Sequence, residues 1–363
     1  MADQDKFHPV SRFLVTASAI VFLIWGISQA QSVLVSFLVS VFFSILAAPL
    51  VLLLGRKRIP AVVAVLIVVA GMILILLVIG LVVGTSINSF YTAIPQYQAL
   101  IQEQITAFKN YLVLRNFATP DSNLLDFLNP GAVMSLTAGL FGRLGMVFSN
   151  IILIVLTVAF ILLEATSFPV KLRAVLGDPQ QIFPQFTKFA DDMKRYMVIK
   201  TLLSLATGIL VTIWLSILQV DFPILWGFLA FLLNFVPSLG STIAAVPPIL
   251  LAFLQFGVWM SVIAAVGCMT INLILDYGVE KRLMGRELGL STLVVFLSLL
   301  FWGSLLGPVG AVLCIPLTMT LKFAFESSED TRWIAVMLGP ELLSRKYTAA
   351  VHKSETIPES KMA

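Results

Sequence analysis

The chain has 363 residues, 59% hydrophobic and 12% charged, with a formal net charge of +4 and a mean hydropathy of +1.01. A soluble domain carries about 25% charged residues, so an ordinary soluble fold is excluded, and basic residues scattered between apolar runs exclude a nucleic-acid surface. His8 and His352, the only histidines, stand in the terminal tails, and no G-x-x-x-x-G-K-[ST] loop occurs; histidine metal sites, Ser-His catalysis and P-loop hydrolysis are excluded, and neither an enzyme nor a cofactor is expected.

Uncharged runs at 33–54, 61–83 and 258–275 are long enough to cross a ~30 Å hydrocarbon core as helix. The expected class is all-α and polytopic, embedded in a lipid bilayer. Full spans are expected near 13–31, 33–54, 61–84, 144–163, 198–218 and 258–279, about six in all. Lys6 and Arg12 before the apolar run 13–25 resemble a signal peptide, but a second apolar run starting at Val33 favours a retained first helix. This divides the chain into a three-span region (1–84), an extracytoplasmic helical segment (85–143), a membrane transport region (144–323) and a cytoplasmic tail (324–363).

In the 85–143 segment, Ile94, Tyr97, Ile101, Ile105, Phe108 and Leu112 recur at helical spacing, and Thr119-Pro120 and Asn129-Pro130 suit helix starts. Between spans, Phe183, Phe186, Phe189, Met193 and Met197 share a face, as in a helix lying along the membrane interface. Cys268 and Cys314 sit in apolar runs and read as free, packed thiols. With the N-terminus inside, 20 of the 23 lysines and arginines fall in cytoplasmic segments, so both termini are expected in the cytoplasm.

Parity then constrains the two interrupted regions. Residues 222–257 start and finish outside, with arms of about 15 and 17 residues around Pro237-Ser238-Leu239-Gly240; the first arm covers only about 22 Å. Residues 290–322 start and finish inside, around Gly307, Pro308 and Gly310, with Pro316 beyond. Two Gly/Pro-broken or re-entrant hairpins entering from opposite faces point to a transport site, against the plainer alternative of kinked helices. Proline frees a carbonyl one turn earlier, and such groups must face protein, water or a ligand at depth.

The polar residues at depth are few. Asn234, Ser238, Ser241 and Thr242 surround the first break, with Pro247 just beyond. Their hydroxyls either bond back to freed carbonyls or donate to a polar solute. Asn272, Asp276 and Glu280, four apart, share a helical face. Asp276 reads either as an ion or proton site or as a carboxylate reaching the basic cluster at Lys281. Glu280 reads as a partner of that cluster, Glu164 as interfacial, and Lys200 as a lysine snorkelling to the interface.

The run NFVPSLG (234–240) with Pro247, then Glu280, then LGLSTLVVFLSLLFWGSLLGPVGAVLCIPLT (288–318) resembles the autoinducer-2 exporter family of bacterial inner membranes. The resemblance implies a homo-oligomer, with a pentamer as the candidate form, that exports a furanone-type signal. It also leaves open exchange of a monovalent cation, sodium or lithium, for protons, as ascribed to some relatives. By position, Pro237, Gly240, Pro247, Glu280, Gly307, Pro308 and Gly310 match the family pattern. Tyr277 and Lys281 depart from it, standing where many relatives carry Asn and Pro.

Overall fold

A computed structural model describes residues 9–114, 139, 142, 150–176, 184–237, 239–284, 290–327 and 329–339. Of the described residues 91% are helical and none is in a strand, as expected where each backbone group must be satisfied within its own segment. In chain order the helices are α1 Pro9–Gln29, α2 Gln31–Arg56, α3 Ala61–Leu114, α4 Ile151–Leu176 and α5 Pro184–Ile217. There follow α6 Pro223–Leu233, α7 Gly240–Phe256, α8 Val258–Asn272 and a π-helix Leu273–Glu280. Short α9 Lys281–Met284, then α10 Thr292–Val312, α11 Cys314–Glu326 and α12 Arg332–Met337 complete the chain.

Among the described residues, five segments are long and apolar enough to cross a membrane: Gln31–Arg56, Ala61–Leu100, Phe186–Ile217, Val258–Glu280 and Thr292–Val312. Shorter apolar helices accompany them at Ala17–Gln29, Ile151–Ala165, α6 and α7. The chain is therefore an all-α, multi-pass membrane protein. The segment Thr292–Val312 qualifies by composition, yet Gly307 (φ 67°, ψ −150°) breaks its axis. Its straight part ends at 306, about 22 Å from its start, and α6 and α7 reach only about 16 and 25 Å.

The expected span 61–84 and the start of the helical segment after it are joined in one helix, α3, which runs for 54 residues. Buried Val83, Phe90 and Tyr97 recur every seven residues, two helical turns, so one apolar stripe continues through the junction and nothing stops the helix. Likewise the expected interfacial helix and the following span are one helix, α5. Its Met193, Tyr196 and Met197 are buried against Leu299, Cys314 and Ile315, so that face covers protein. The helices expected after Thr119-Pro120 and Asn129-Pro130 lie outside the described residues.

Packing gathers α3, α5, α6, α7 and α8 around Phe90, Leu215, Trp226 and Leu251. Phe90 meets Trp226 edge-to-face at 5.3 Å and Phe222 at 5.7 Å, the preferred geometry for ring quadrupoles. Helices α5 and α6 touch backbone to backbone. A Cβ at Gly227 would fall 1.8 Å from Thr212 Oγ1 and 2.5 Å from the Gly208 carbonyl, the small-residue packing that holds membrane helices together. A second cluster joins α2, α3 and α4 through Ala64, Val65, Val158 and Leu162. Cys268 and Cys314 are free and buried, as expected.

Candidate functional site

The first hairpin is α6, a turn and α7. Asn234, Phe235 and Val236 donate their N–H groups to Ala230, Leu232 and Leu233, and Leu239 and Gly240 donate to Pro237 and Val236. The described turn amides are thus satisfied within the turn, contrary to the expectation that broken backbone offers them to a solute. Polarity at the break comes instead from side chains, and from the Ile243 and Ala244 carbonyls that lose their helical donors at Pro247 and Pro248.

Those side chains meet α5 and the π-helix. Two contacts fix the antiparallel register of α5 against α8 and the π-helix: Lys200 with Glu280, and Trp214 packed over Gly267. Stepping along that register sets Ser204 level with Asp276. Asn234, 3% exposed, donates from Nδ2 to Ser204 Oγ at 3.1 Å. From the first turn of α7, Ser241 Oγ donates to Asp276 Oδ2 at 3.4 Å. The other Asp276 oxygen is buried with no partner, as are Asn272 Oδ1 one turn along and Thr201 Oγ1 on α5. Buried acceptors left this way are costly inside protein and mark places where a further donor or cation fits.

One turn toward the other end, Lys200 Nζ lies 2.8 and 3.0 Å from the two Glu280 carboxylate oxygens. Lys200 is therefore not a snorkeller: it is 6% exposed and faces the bundle. Glu280 takes it as partner across 80 residues of sequence, a correction to the expected pairing with the neighbouring basic cluster. Asp276 does not reach that cluster either; its described hydrogen bond is to Ser241. Glu164 is surface-exposed and pairs with Lys171 at 2.8 Å, as its interfacial reading required.

The π-helix displays Asp276 and Glu280. Its i→i+5 bonding widens one turn, a feature frequent at functional sites. The structure thus joins Asn234, Ser241, Asp276 and Glu280 in one cluster, with Asn272 beside it. Thr242 is exposed and stays out. Ser238 lies outside the described residues. Pro237 shapes the turn by accepting from Leu239.

Residues of the second hairpin serve its shape rather than the cluster. Gly307 takes the positive φ that L-residues resist and sits by Gln31 at the start of α2, with Pro308 next to it in the resumed helix. A Cβ on Gly310 would strike the Trp302 carbonyl at 1.9 Å. Trp302 Nε1 donates to Thr318 Oγ1 at 3.1 Å, tying α10 to α11, and Pro316 is buried near the start of α11. Val236, at the first tip, and Trp302 and Ala311 of the second hairpin border the same apolar cluster, built from Met193, Tyr196 and Met197 of α5 with Leu299, Cys314 and Ile315.

At the far end of the bundle a second network was not legible from the sequence. Tyr97 Oη donates to Asp221, Gln255 Nε2 donates to Tyr97 Oη at 3.1 Å, and Trp226 Nε1 donates to the Asp221 carbonyl at 2.9 Å. It ties α3 to both ends of the first hairpin. Tyr97→Phe removes two of these bonds and is expected to cost about 1–3 kcal/mol, read as a lower thermal midpoint of detergent-purified protein; an unchanged midpoint would refute the tie.

The polar stripe on α5 was the signal available in sequence: Lys200, Ser204 and Thr207 stand at helical spacing in an otherwise apolar run. Comparison with known proteins bears on the family of the chain. The family described as AI-2E family transporter matches residues 14–330. The AI-2 transport protein TqsA of Escherichia coli (strain K12) is 35% identical over 328 residues, 90% of this chain and 95% of that protein. YhhT of the same organism, whose name carries no substrate, is 34% identical over 327 residues, 90% and 94% of the two chains. A Haemophilus influenzae homologue is 35% identical over 335 residues, covering 90% and 96%.

Proposed function

The chain belongs to the AI-2E transporter family, a family of transporters and not of enzymes, and from that premise we propose that it exports autoinducer-2. The export runs across a bacterial inner membrane, with both termini in the cytoplasm and the protein assembled as a homo-oligomer. The similarity to the AI-2 transport protein of E. coli supports the substrate, and the distribution of lysine and arginine supports the orientation.

The observation that carries the proposal is the polar cluster at the first break. Asn234 with Ser204, and Ser241 with Asp276, pair side chains at the tip of the first hairpin, with buried acceptor oxygens still unmatched. Autoinducer-2 is rich in hydroxyl groups and needs acceptors and donors to replace water at depth. The first hairpin enters from the outer face and the second from the inner face. Both border the cluster of Met193, Tyr196, Met197 and Cys314, and in this reading the two approaches converge beside it.

The test is flux into proteoliposomes of purified protein, with autoinducer-2, sodium and lithium offered separately under imposed proton gradients. Autoinducer-2 flux well above that of protein-free vesicles is expected. In Asn234→Leu it should fall about tenfold, the equivalent of one lost hydrogen bond of about 1.4 kcal/mol. Cation exchange without autoinducer-2 flux, abolished by Asp276→Asn, would replace this reading by monovalent cation/proton antiport. Absence of both fluxes would refute transport through the cluster.

A further inference from the structure

Helix α12, Arg332–Met337, is short, yet both its flanks are held. Before it, Thr331 Oγ1 donates to the Phe325 carbonyl near the end of α11 at 3.0 Å. After it, Ser291 donates its N–H to the Leu338 carbonyl at 3.1 Å. Ser291 is also the N-cap of α10, its Oγ accepting from the Val294 N–H at 3.3 Å. Helix α12 therefore bridges the two ends of the second hairpin, and its own end stands where α10 begins.

Apolar surface starts at the same place. Along one face of α10, Leu293, Phe296, Leu297 and Leu300 are exposed, the side that an apolar span turns to hydrocarbon. On α12, Ala335 is buried, while Trp333 and Met337 are 66% and 74% exposed. Two residues turn a helix by about 200°, so Ala335 faces the protein and the indole and thioether point away from it. Tryptophan, an apolar body with one N–H for the wet side, is the residue enriched where a membrane meets water. Charge does not supply the attraction, because the turn region before α12 sets Glu326, Glu329 and Asp330 against Lys322 and Arg332. The partner that fits is apolar on one side and wet on the other.

We propose that the Trp333–Met337 face of α12 seats in the bilayer, at the boundary between headgroups and acyl chains, on the side where the second hairpin begins and ends. The contact continues the exposed face of α10 outward along the membrane surface. Through the Leu338–Ser291 bond it holds the mouth of the second hairpin at interfacial depth. Only the choice of the cytoplasmic leaflet rests on the orientation given under the proposed function.

Nitroxide labels on Trp333→Cys and Met337→Cys test it in full-length protein reconstituted into phosphatidylethanolamine–phosphatidylglycerol vesicles. A label on Asp330→Cys, exposed in the turn before α12, is the water-side reference. Cys268 and Cys314 are buried, and protein without an added cysteine supplies the blank. Oxygen partitions into lipid, whereas a nickel chelate stays in water. Oxygen should relax the labels at 333 and 337 more strongly than the chelate does, and the order should reverse at 330. Raising the salt or leaving out phosphatidylglycerol should change neither result, because apolar burial carries the contact.

Stronger relaxation by the chelate at 333 and 337 would put this face in water and overturn the proposal. Labels reached by neither reagent would overturn it equally, since protein, either the chain beyond 339 or a second copy, would then cover the face. An impermeant maleimide added to intact spheroplasts reads the side separately. Reaction at Asp330→Cys from outside would defeat the cytoplasmic placement of the C-terminus, while the interfacial contact, read by oxygen, would stand.

Discussion

Gly240→Ala is expected to prevent the first hairpin from closing. A Cβ at this position would lie 1.7 Å from the Leu233 carbonyl oxygen and 3.1 Å from Val236 Cβ, far inside contact distance. That carbonyl is not free to yield, because it accepts the Val236 N–H at 2.8 Å in the turn. Relief requires α7 to move away from α6, which pulls Ser241 from Asp276 and opens the cluster. The cost is expected at about 3 kcal/mol or more, with loss of autoinducer-2 flux. Gly80→Ala supplies the control: nothing lies within 4 Å of a Cβ there, and alanine should stabilise the helix by about 0.5–1 kcal/mol. Thermal unfolding of both purified variants decides it, and equal midpoints would show that Gly240 does not hold the turn.

Lys200→Met should be the most damaging single change outside the hairpins. It leaves the Glu280 carboxylate, 21% exposed, without its ammonium. Removing one member of a fully buried pair costs about 3–5 kcal/mol, and the partial exposure of Glu280 places this loss toward or below the lower end of that range. Glu280→Gln added to Lys200→Met removes the stranded charge and should recover most of the loss. The comparison is made by thermal unfolding in detergent at neutral pH. Equal loss in the single and double variants would mean that packing of the lysine stem, rather than its charge, matters at this position.

The sequence carried several of these features for definite reasons. The turn at 234–240 was readable because Pro237 and Gly240 interrupt an apolar run where no continuous helix tolerates them. Asp276 was readable as one of few carboxylates in an uncharged segment. Lys200 was misjudged because lysine near a span end ordinarily extends toward water. Only the antiparallel packing of α5 against α8 and the π-helix reveals Glu280 opposite it. That one helix carries the chain past residue 84 was not legible for a related reason: polarity changes there, but the buried stripe of Val83, Phe90 and Tyr97 does not. The π-helix left no local mark, since Leu273–Glu280 contains no unusual spacing.

Composition alone determined that this chain lives in lipid as helices, because uncharged runs of this length can satisfy their backbone groups in no other way there. Proline and glycine marked the turn at 234–240 and the kink at Gly307, but Pro49, Pro95, Pro247 and Pro248 lie inside helices, so these residues alone did not fix where each helix stops. Which polar groups face one another was decided by tertiary structure. Asn234 finds Ser204, Ser241 finds Asp276, and Lys200 finds Glu280 across 30, 35 and 80 residues. Pairing at such separations depends on the register between helices, and that register is set by close contacts such as Gly208 with Gly227 and Trp214 with Gly267. Those contacts exist only once the helices have packed.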